Sequence, residues 1–564
     1  MTKRLILALL LSCSPLWATT YYVDNCVTVG NDRNNGTSTS TPWLTINKVN
    51  TSTFYPGDSI LFQSTCTWRE QLSVASSGSS GSPITFGAYG SGAAPIIDGT
   101  KAVTGWSLYS GSIYQATISG YTPRVLFEDA SLLALGASAG ALTAGQYFYS
   151  SGTLYVYTTA GDNPSGHTME ATAIPATYYA LIQLNGVSYI TIQGLALNRS
   201  NWGGIYIYPG AAGITIQNNT FTYNVQNDVD TQSYNGEMSA SSNISILNNA
   251  CTNSGLGRSR GYPMGMCVNL GSVNGGTVSG NSSINQGGEG LGTSGNNNNI
   301  IFSNNYVSAS GGIGIYICAG YPSWTASKSV TNTTVEYNYV TGSAITSYEL
   351  ASEVSGGNVT YTNFFGNVSV NPGTENGLAF GNGVAGTVLQ NNAIYNNTFY
   401  GGPTCEAEIE VMGPTTDTSN SFKNNILEGC YFSWQFVDSN VSNYSPDYEL
   451  LYGASYKAIS YNGTNYATLA AFQTATGKMA HSLASNPQFV NASAGQFWLT
   501  SGSPGIHAGL NLGSPYDIGL MPGSTWPNSV VTGDQNAYGS GWEIGAFIYV
   551  PAVAPPSNLQ VSVH

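Results

Sequence analysis

Charged residues are scarce in this chain of 564 residues, of which they make up 7%, against about a quarter in a typical globular protein. Lysine and arginine together number 14 against 28 aspartates and glutamates, which gives a formal net charge of −14. A nucleic-acid-binding protein needs a basic surface, so this composition excludes nucleic acid as a partner. A strongly anionic ligand would need a bound cation to offset the acidic surface.

Histidine is also scarce, and none of the four histidines lies between residues 168 and 480. A Ser–His–Asp hydrolase needs a histidine beside its nucleophile, so the sequence argues against that class. The Gly-His-Gly element and the paired aspartates of polygalacturonases are missing. There is no CxxC motif or zinc spacing, and no glycine-rich phosphate loop opens a helix.

Long apolar runs are confined to the N-terminus. Residues 1–18 have the form of an export signal, with Lys3 and Arg4 before an apolar stretch and Ala18 at a cleavage point. Cys13 offers an alternative, a lipid-anchored surface or periplasmic protein. No other segment is apolar for long enough to span a membrane. We therefore expect a secreted, extracellular and monomeric protein.

An asparagine ladder dominates the middle of the chain. Short β-branched runs end in asparagine at intervals of 24 to 33 residues, the final residues being Asn219, Asn249, Asn281, Asn305, Asn338, Asn367, Asn397 and Asn425. Such a period, built from runs too short for helices, is typical of a solenoid. Asparagines at one corner of every turn can stack and bond the bent backbone. The pattern predicts an all-β, right-handed parallel β-helix.

The ladder and its interruptions predict the domain organisation. Residues 19–105 are the N-terminal cap and first coils, and residues 174–550 are the β-helix with its C-terminal coils. Residues 106–173 contain paired strands without the asparagine corner, which indicates a small antiparallel β insert. Residues 551–564 form a proline-rich tail or linker.

Two segments resemble known families. The run that ends in Pro56-Gly-Asp-Ser-Ile-Leu-Phe62 resembles the first coils of secreted bacterial β-helix proteins of the pectate-lyase-like superfamily, which include polysaccharide lyases and glycoside hydrolases. The insert, with Trp106 and Val125-Leu-Phe-Glu-Asp129, resembles the accessory domain of exo-acting β-helical glycosidases of the xylosidase and fucosidase type. These resemblances imply the fold and a carbohydrate substrate, not a particular reaction.

Scarce carboxylates cluster at the strand that follows each asparagine corner, which we expect to form one outer face. Coils lie about 4.8 Å apart, so acids one coil apart would be about 5–6 Å apart and acids two coils apart about 10 Å apart. Such separations bracket those of the two catalytic carboxyl groups in glycosidases. Glu353 and Glu375 are the first candidate pair, in which one would act as the nucleophile or base and the other as the acid. Glu349 and Glu410 are further catalytic candidates.

The same face is expected to bind sugar, because aromatic rings stack on the apolar faces of pyranoses. Loop arginines could hold a uronate or sulfate group. The predicted substrate-binding residues are Tyr206, Tyr208, Tyr316, Arg258, Arg260, Glu289, Asp228 and Asp230.

Glu408 and Glu410 form a second motif. Alternate residues of one strand point the same way, so this pair could chelate Ca²⁺ with Asn382 or Asn376 of the previous coil. The arrangement resembles the calcium site of chondroitinase-B-type and alginate lyases. Those enzymes also need a basic residue, and Lys423, one coil on, is expected on a different face.

Seven cysteines remain after removal of the signal, and an exported chain can oxidise them. Cys26–Cys66 and Cys405–Cys430 are the predicted disulfides. The odd number leaves at least one free thiol, which we expect to be buried.

We expect an enzyme that cleaves glycosidic bonds of a polysaccharide or oligosaccharide by hydrolysis, with a carboxylate pair and without a required cofactor. The alternative enzyme is a Ca²⁺-dependent uronate lyase or epimerase that uses Glu408, Glu410 and Arg258 or Arg260. A non-catalytic surface solenoid that binds glycans is the third interpretation.

Overall fold

The structure is a computed structural model that describes residues 18–177, 179–231, 240–256, 265–320, 328–413, 415–437 and 444–551. The chain folds as a right-handed parallel β-helix, as predicted, in which three long parallel sheets run along the rod. Each coil contributes a strand to sheet 1, then to sheet 2, then to sheet 3. The repeated β-branched runs form these strands because they suit a pleated, half-buried surface.

Sheet 1 has 16 strands: Thr20–Val23, Ser59–Gln63, Ile84–Tyr89, Ile190–Gln193, Ala212–Gln217, Ser241–Leu247, Val273–Ser279, Asn297–Ser303, Ser329–Glu336, Asn358–Thr360, Asn363–Phe365, Thr387–Gln390, Ala393–Tyr395, Thr415–Thr418, Asn420–Lys423 and Tyr444–Asp447. Sheet 2 has 13 strands: Thr67–Trp68, Ile96–Asp98, Ala196–Asn198, Thr220–Thr222, Ala250–Thr252, Ser282–Ile284, Tyr306–Ser308, Tyr339–Thr341, Val368–Val370, Thr398–Tyr400, Ile426–Glu428, Leu450–Tyr452 and Leu483–Ala484.

Sheet 3 has 13 strands, of which the last is antiparallel: Leu72–Val74, Ala180–Leu184, Gly203–Ile207, Val229–Asp230, Val268–Gly271, Leu291–Ser294, Ile315–Cys318, Tyr348–Ala351, Asn376–Phe380, Ala407–Val411, Phe432–Phe436, Lys457–Tyr461 and Thr464–Tyr466. Identical side chains stack from coil to coil, as where Ile190 pairs with Ile214 and Ile214 with Ile244. These residues belong to one continuous buried core inside the rod, so each coil buries its apolar side against its neighbours.

The asparagine ladder lies at the corner between sheets 1 and 2, and all eight predicted asparagines are in it. Each side-chain amide donates to the Oδ1 atom of the next, as Asn305 does to Asn338 at 2.9 Å and Asn338 to Asn367 at 3.0 Å. The same Oδ1 atom also accepts a backbone N–H, which satisfies the bend in the chain. The ladder ends at Glu449, whose carboxyl oxygens accept both bonds from Asn425.

The insert begins with Thr100–Ala102, six residues before the predicted boundary, and ends with Met169–Thr172. A four-stranded sheet is completed by Leu126–Glu128 and Ser131–Leu132, and a five-stranded sheet contains Ser107–Ser110, Ile113–Thr117, Ala134–Leu135, Gln146–Ser150 and Thr153–Tyr157. The insert has its own apolar core. Ion pairs of Arg69 and Arg199 with Asp98 and Glu170 join it to the first coils.

The remaining elements lie at the ends and along one corner. The α-helices are Ile46–Asn50 and Leu469–Thr476, and the 3₁₀ helices are Ala139–Ala141, Pro164–Gly166, Ala492–Ala494 and Gln535–Ala537. Two short antiparallel pairs, Phe489–Asn491 with Gln496–Leu499 and Ile518–Leu520 with Thr532–Asp534, follow the last coil. This C-terminal segment packs outside the asparagine corner, where Trp526 donates to the backbone of Tyr337. The outer face of sheet 3 is on another side of the rod.

Three disulfides cross-link the coils. The predicted Cys26–Cys66 and Cys405–Cys430 bonds are confirmed, and Cys251–Cys267 is a third that the sequence did not indicate. Cys318 is free and buried, as expected for the odd thiol. No helix in the described part of the chain is both long and apolar enough to cross a bilayer.

Candidate functional site

The outer face of sheet 3 carries a line of polar and aromatic residues. Strand register places one residue of each coil directly above that of the coil before, and the line reads Tyr206, Asp230, Asn269, Gly292, Tyr316, Glu349, Ala379, Glu410 and Gln435. At about 4.8 Å per coil, Tyr206 and Glu349 are about 24 Å apart along the rod. The predicted stacking of distant residues into one outer wall is therefore present.

Four glutamates surround Tyr316 on this wall. Glu289 precedes the strand below Tyr316, Glu349 and Glu353 belong to the coil above it, and Glu375 precedes the next strand. In a chain with only 28 acidic residues, this is a concentrated group of carboxyls. Because three successive coil contacts bring them together, the cluster exists only in the folded rod.

Glu349 lies at the centre of the cluster. Its side chain is buried, with 8% of the residue exposed. Burial raises the pKa of Glu349 well above its ordinary value, and the negative charges of Glu353, Glu375 and Glu289 raise it further. A hydrogen bond with Tyr316 opposes this shift only in part. Glu349 therefore keeps its proton to a higher pH than an ordinary glutamate does, as a general acid must.

Glu353 is the partner of this acid. Burial raises its pKa, but the Tyr316 hydroxyl donates a hydrogen bond of 2.9 Å to Glu353 Oε1 and lowers it again. Glu353 therefore ionises before Glu349. Glu349 is paired with Tyr316 in the strand register, and the charge of Glu353 raises the pKa of Glu349, so the two carboxyls lie close together beside Tyr316.

Glu375, half of the first predicted pair, is exposed and accepts a bond from Thr346 Oγ1 at 3.3 Å. It is close enough to raise the pKa values of both Glu349 and Glu410. Glu410 lies two coils above Glu349 and accepts a 2.7 Å bond from Asn376 Nδ2. The structure thus brings all four predicted catalytic carboxyls onto one wall, with Glu349 rather than Glu375 beside Glu353.

The other end of the wall is aromatic. The rings of Tyr206 and Tyr208 lie 5.0 Å apart, and both pack on Tyr179, which the sequence did not single out. Asp230 accepts bonds of 3.2 Å from Asn227 and Asn269. This end can bond sugar hydroxyls through the amide and carboxylate groups that line a small cleft beside Tyr206.

Ring stacking, however, was assigned to two tyrosines that cannot offer an open face. Only 4% of Tyr206 and 1% of Tyr316 are exposed. Tyr316 belongs to a small apolar cluster with Ile313, Cys318 and Ala351, outside the main core. It acts on the site through its hydroxyl instead. The predicted binding residues Arg258 and Arg260 lie outside the described residues.

Asp228 and Glu408 do not lie on the outer wall, and the prediction that they do is wrong. Both are fully buried at the bend between sheets 2 and 3. At this bend Asn376 pairs with Ala407 and Leu378 pairs with Ile409, but the residues between them, Gly377 and Glu408, are not paired. Other coils have glycine at the position that Glu408 occupies in its own coil, because a Cβ atom there would contact a core side chain of sheet 2. Gly204, Gly290, Gly314 and Gly377 show this contact.

The predicted Ca²⁺ site does not fit this geometry. Glu408 accepts a bond from the backbone N–H of Cys430 in the interior, whereas Glu410 bonds Asn376 on the outer wall. Asn382 accepts a bond from the backbone of its own turn. The two carboxylates therefore point to opposite sides of sheet 3 and cannot chelate one ion together, because alternation fails at the bend.

A second acidic group lies on the insert, where His167 contacts Asp129 at 2.7 Å and Asp162 at 2.9 Å, with Glu128 beside it. The hydrogen bonds that the His167 ring donates to Asp129 and Asp162 raise the pKa of His167 to about 9. At neutral pH the ring is therefore an imidazolium cation paired with these carboxylates. These contacts join the turn at Asp129 to the loop that contains Asp162 and His167, so we interpret the group as a link between insert loops.

The buried acids predict how stability varies with pH. Burial raises the pKa of Glu408 and of Asp228 to about 8. Such groups favour the folded state below their unfolded pKa, near 4, and that contribution is lost as pH rises toward 8. As pH rises from 5 to 8, the free energy of unfolding of the wild type should fall. That of the Glu408→Gln variant should fall less, by on the order of a few kcal/mol.

Thermal unfolding of both proteins across this pH range measures the effect. Glutamine matches the shape of a protonated glutamate and still accepts the bond from Cys430, so the two proteins should be close in Tm at pH 5. Parallel Tm curves from pH 5 to pH 8 would contradict the buried, protonated state of Glu408.

Comparison with known proteins agrees with the fold. A family model described as a right handed beta helix region matches residues 180–365, which include Tyr316, Glu349 and Glu353. No curated protein sequence matches the chain.

Three solved structures illustrate the likeness. The complex of XylC with xylose is 13% identical, has a TM-score of 0.47, and the match covers 77% of this chain and 75% of that one. A GH136 lacto-N-biosidase from Eubacterium ramulus is 16% identical, with a TM-score of 0.38 and coverage of 79% and 66%. Pectate lyase Pel9A is 14% identical, with a TM-score of 0.41 and coverage of 94% and 96%. The likeness to each is one of fold.

Proposed function

We propose that this protein is a secreted glycoside hydrolase whose catalytic carboxyls are Glu349 and Glu353 on the outer wall of sheet 3. The observation that carries the proposal is the placement of a buried Glu349, whose pKa is raised well above its ordinary value, beside Glu353, which accepts a hydrogen bond from the Tyr316 hydroxyl. A carboxylic acid and a carboxylate with separated pKa values are the two groups that glycoside hydrolysis requires.

The position of both carboxyls beside one residue, Tyr316, favours a retaining reaction. Retaining glycosidases hold them about 5–5.5 Å apart, and inverting ones about 6.5–9.5 Å apart to admit a water molecule. In the first step a Glu353 oxygen bonds the anomeric carbon, the glycosidic C–O bond breaks, and the Glu349 proton passes to the leaving oxygen. In the second step water attacks that carbon, the ester bond to Glu353 breaks, and Glu349 takes the proton from the water.

The substrate class follows from the charges around the site. The strongest influences on the pKa of Glu349, after burial, are three negative charges. A polyuronate would meet repulsion from Glu289, Glu375 and Glu406 at this wall. We therefore propose a neutral glycan as the substrate, and hydrolysis rather than elimination.

Export is part of the proposal. Three disulfides in one chain are typical of proteins that fold in an oxidising compartment. Residues 1–17, which lie outside the described residues, carry most of the predicted signal.

The stereochemistry of the product tests the mechanism. Purified protein should release reducing sugars from at least one neutral polysaccharide, and products should have the mass of hydrolysis rather than the mass of elimination, which is one water lighter. Proton NMR of the first product should show the anomeric configuration of the substrate. An inverted anomer would exclude Glu353 as nucleophile, and unsaturated products would exclude hydrolysis altogether.

A further inference from the structure

A surface cleft lies beyond the carboxylate cluster, near the C-terminal end of the rod. It has a volume of about 230 Å³ between the last coils of sheets 2 and 3. Its lining includes Tyr452, Tyr456, Lys457, Ser433, Thr468 and Leu469. The volume is below the range of about 300–1,000 Å³ that encloses a drug-sized ligand, so it suits a single sugar ring.

Exposed aromatic rings form one side of this cleft. Tyr456 is 46% exposed and Tyr452 is 41% exposed, unlike the buried tyrosines of the wall. Tyr431 of the coil below packs against Tyr456 with ring centroids 4.5 Å apart and planes inclined by 10°. The Lys457 ammonium lies 5.2 Å from the Tyr456 centroid. Tyr456 is therefore held in one orientation while much of it stays in contact with solvent.

The cleft also contains an unused hydrogen-bonding group. Ser433 is 1% exposed, and its hydroxyl has no hydrogen-bond partner among the residues that the structure describes. A buried hydroxyl without a partner costs about 1–3 kcal/mol unless a water or ligand satisfies it. A cleft that combines exposed tyrosines with such a hydroxyl matches a pyranose, which has an apolar face and a polar edge.

Strand register connects the cleft with the catalytic wall. The residue just before each sheet 3 strand forms a second line, which runs from Glu375 to Glu406, then Tyr431, then Tyr456. Backbone bonds from Glu406 to Glu375 and from Tyr456 to Tyr431 keep the coils in step. Glu375 and Tyr456 are three coils apart, about 14 Å along the rod.

We infer that the cleft is a remote subsite for a long neutral polysaccharide, which binds along this line with one sugar at Tyr456 while another lies at the carboxyl pair. The assignment of a sugar to the carboxyl pair rests on the proposed function, but binding at the cleft does not. Such a protein would prefer chains of several sugars and would not need the end of a chain for binding.

The test uses a Tyr452→Ala/Tyr456→Ala double variant, with Tyr361→Ala as the matched control. Tyr361 is 54% exposed and follows a sheet 1 strand away from the cleft. Native gels that contain hydroxyethyl cellulose, arabinoxylan or galactomannan should retard the wild type and the control. The double variant should lose that retardation. A Tyr452→Phe/Tyr456→Phe variant should keep it, because stacking uses the ring and not the hydroxyl.

Kinetics separate this inference from the catalytic proposal. On the polymer that retards the protein, kcat/KM of the double variant should fall about tenfold or more, as expected for the loss of two stacking rings. On a disaccharide or aryl glycoside of the same sugar it should stay unchanged, because these do not reach the cleft. Retardation without hydrolysis would refute the catalytic proposal and support the subsite.

Three results would overturn the subsite: no retardation of the wild type on any of the three polymers, equal retardation of the double variant, or equal kinetic loss on short and long substrates. Loss of retardation in the Phe variant as well would show that the changes disturb the local fold, and the ring-stacking assignment would then be wrong.

Discussion

Replacement of Glu349 by glutamine should lower kcat on a natural glycan by about 10²–10⁴-fold, because it removes the proton that the leaving oxygen needs. The fold should tolerate the change, since Glu349 is buried and its raised pKa shows that burial favours the neutral form, which glutamine mimics. An aryl glycoside with an acidic phenol as leaving group needs little protonation. On that substrate the first step of the variant should proceed at nearly the wild-type rate, visible as a burst of phenol.

Glu353→Gln is the complementary variant. Without a carboxylate to form the ester, it should be inactive on both kinds of substrate and give no burst. Glu70→Gln, a carboxyl of the first coils that caps a backbone N–H, is the matched control and should behave as the wild type. A Glu349→Gln variant that loses all activity on the aryl glycoside as well would contradict its role as the acid.

The wild-type pH profile should reflect the same two groups. Activity requires an ionised Glu353 and a protonated Glu349, so it should fall at low pH as Glu353 takes a proton and at high pH as Glu349 loses one. In Glu349→Gln the alkaline fall should disappear for the aryl substrate.

The asparagine ladder was predictable from the sequence because a repeated residue at a repeated corner carries its own register. Asn219 and Asn397 lie far apart in the sequence, yet each donates to the next asparagine of the ladder as expected. The same register predicted that distant glutamates would share one wall. These features depend only on the period of the coil, which the sequence displays directly.

The depth of each carboxyl was not predictable from that period. Glu349 is buried although it lies on the outer side of its strand, and the period of the coil does not encode that depth. Glu408 lies inside because strict alternation fails at the bend into sheet 3. The sequence did contain a signal for that position: Gly204, Gly290 and Gly314 occupy it in other coils, and a column of glycines indicates lack of room.

The buried ladder should also dominate stability, and Asn338→Ala tests this. The change removes the acceptor of the Asn305 backbone N–H and the donor to the Phe302 carbonyl, and both groups are buried. Each unsatisfied backbone group costs about 1–3 kcal/mol, so the loss should be about 3–5 kcal/mol. Urea unfolding followed by tryptophan fluorescence measures it.

Asn298→Ala is the control for this experiment, since Asn298 belongs to a solvent-exposed asparagine stack with Asn274 and Asn332 on the adjacent sheet 1 strands. Water replaces the bonds it loses, so its cost should stay below about 1 kcal/mol. Hydrogen exchange should show the damage of Asn338→Ala concentrated in the coils that contain Phe302 and Asn367, because each coil buries itself only against its neighbours. Equal costs for the two variants would mean that the interior ladder contributes no more than surface asparagines, and that apolar stacking alone keeps the coils in register.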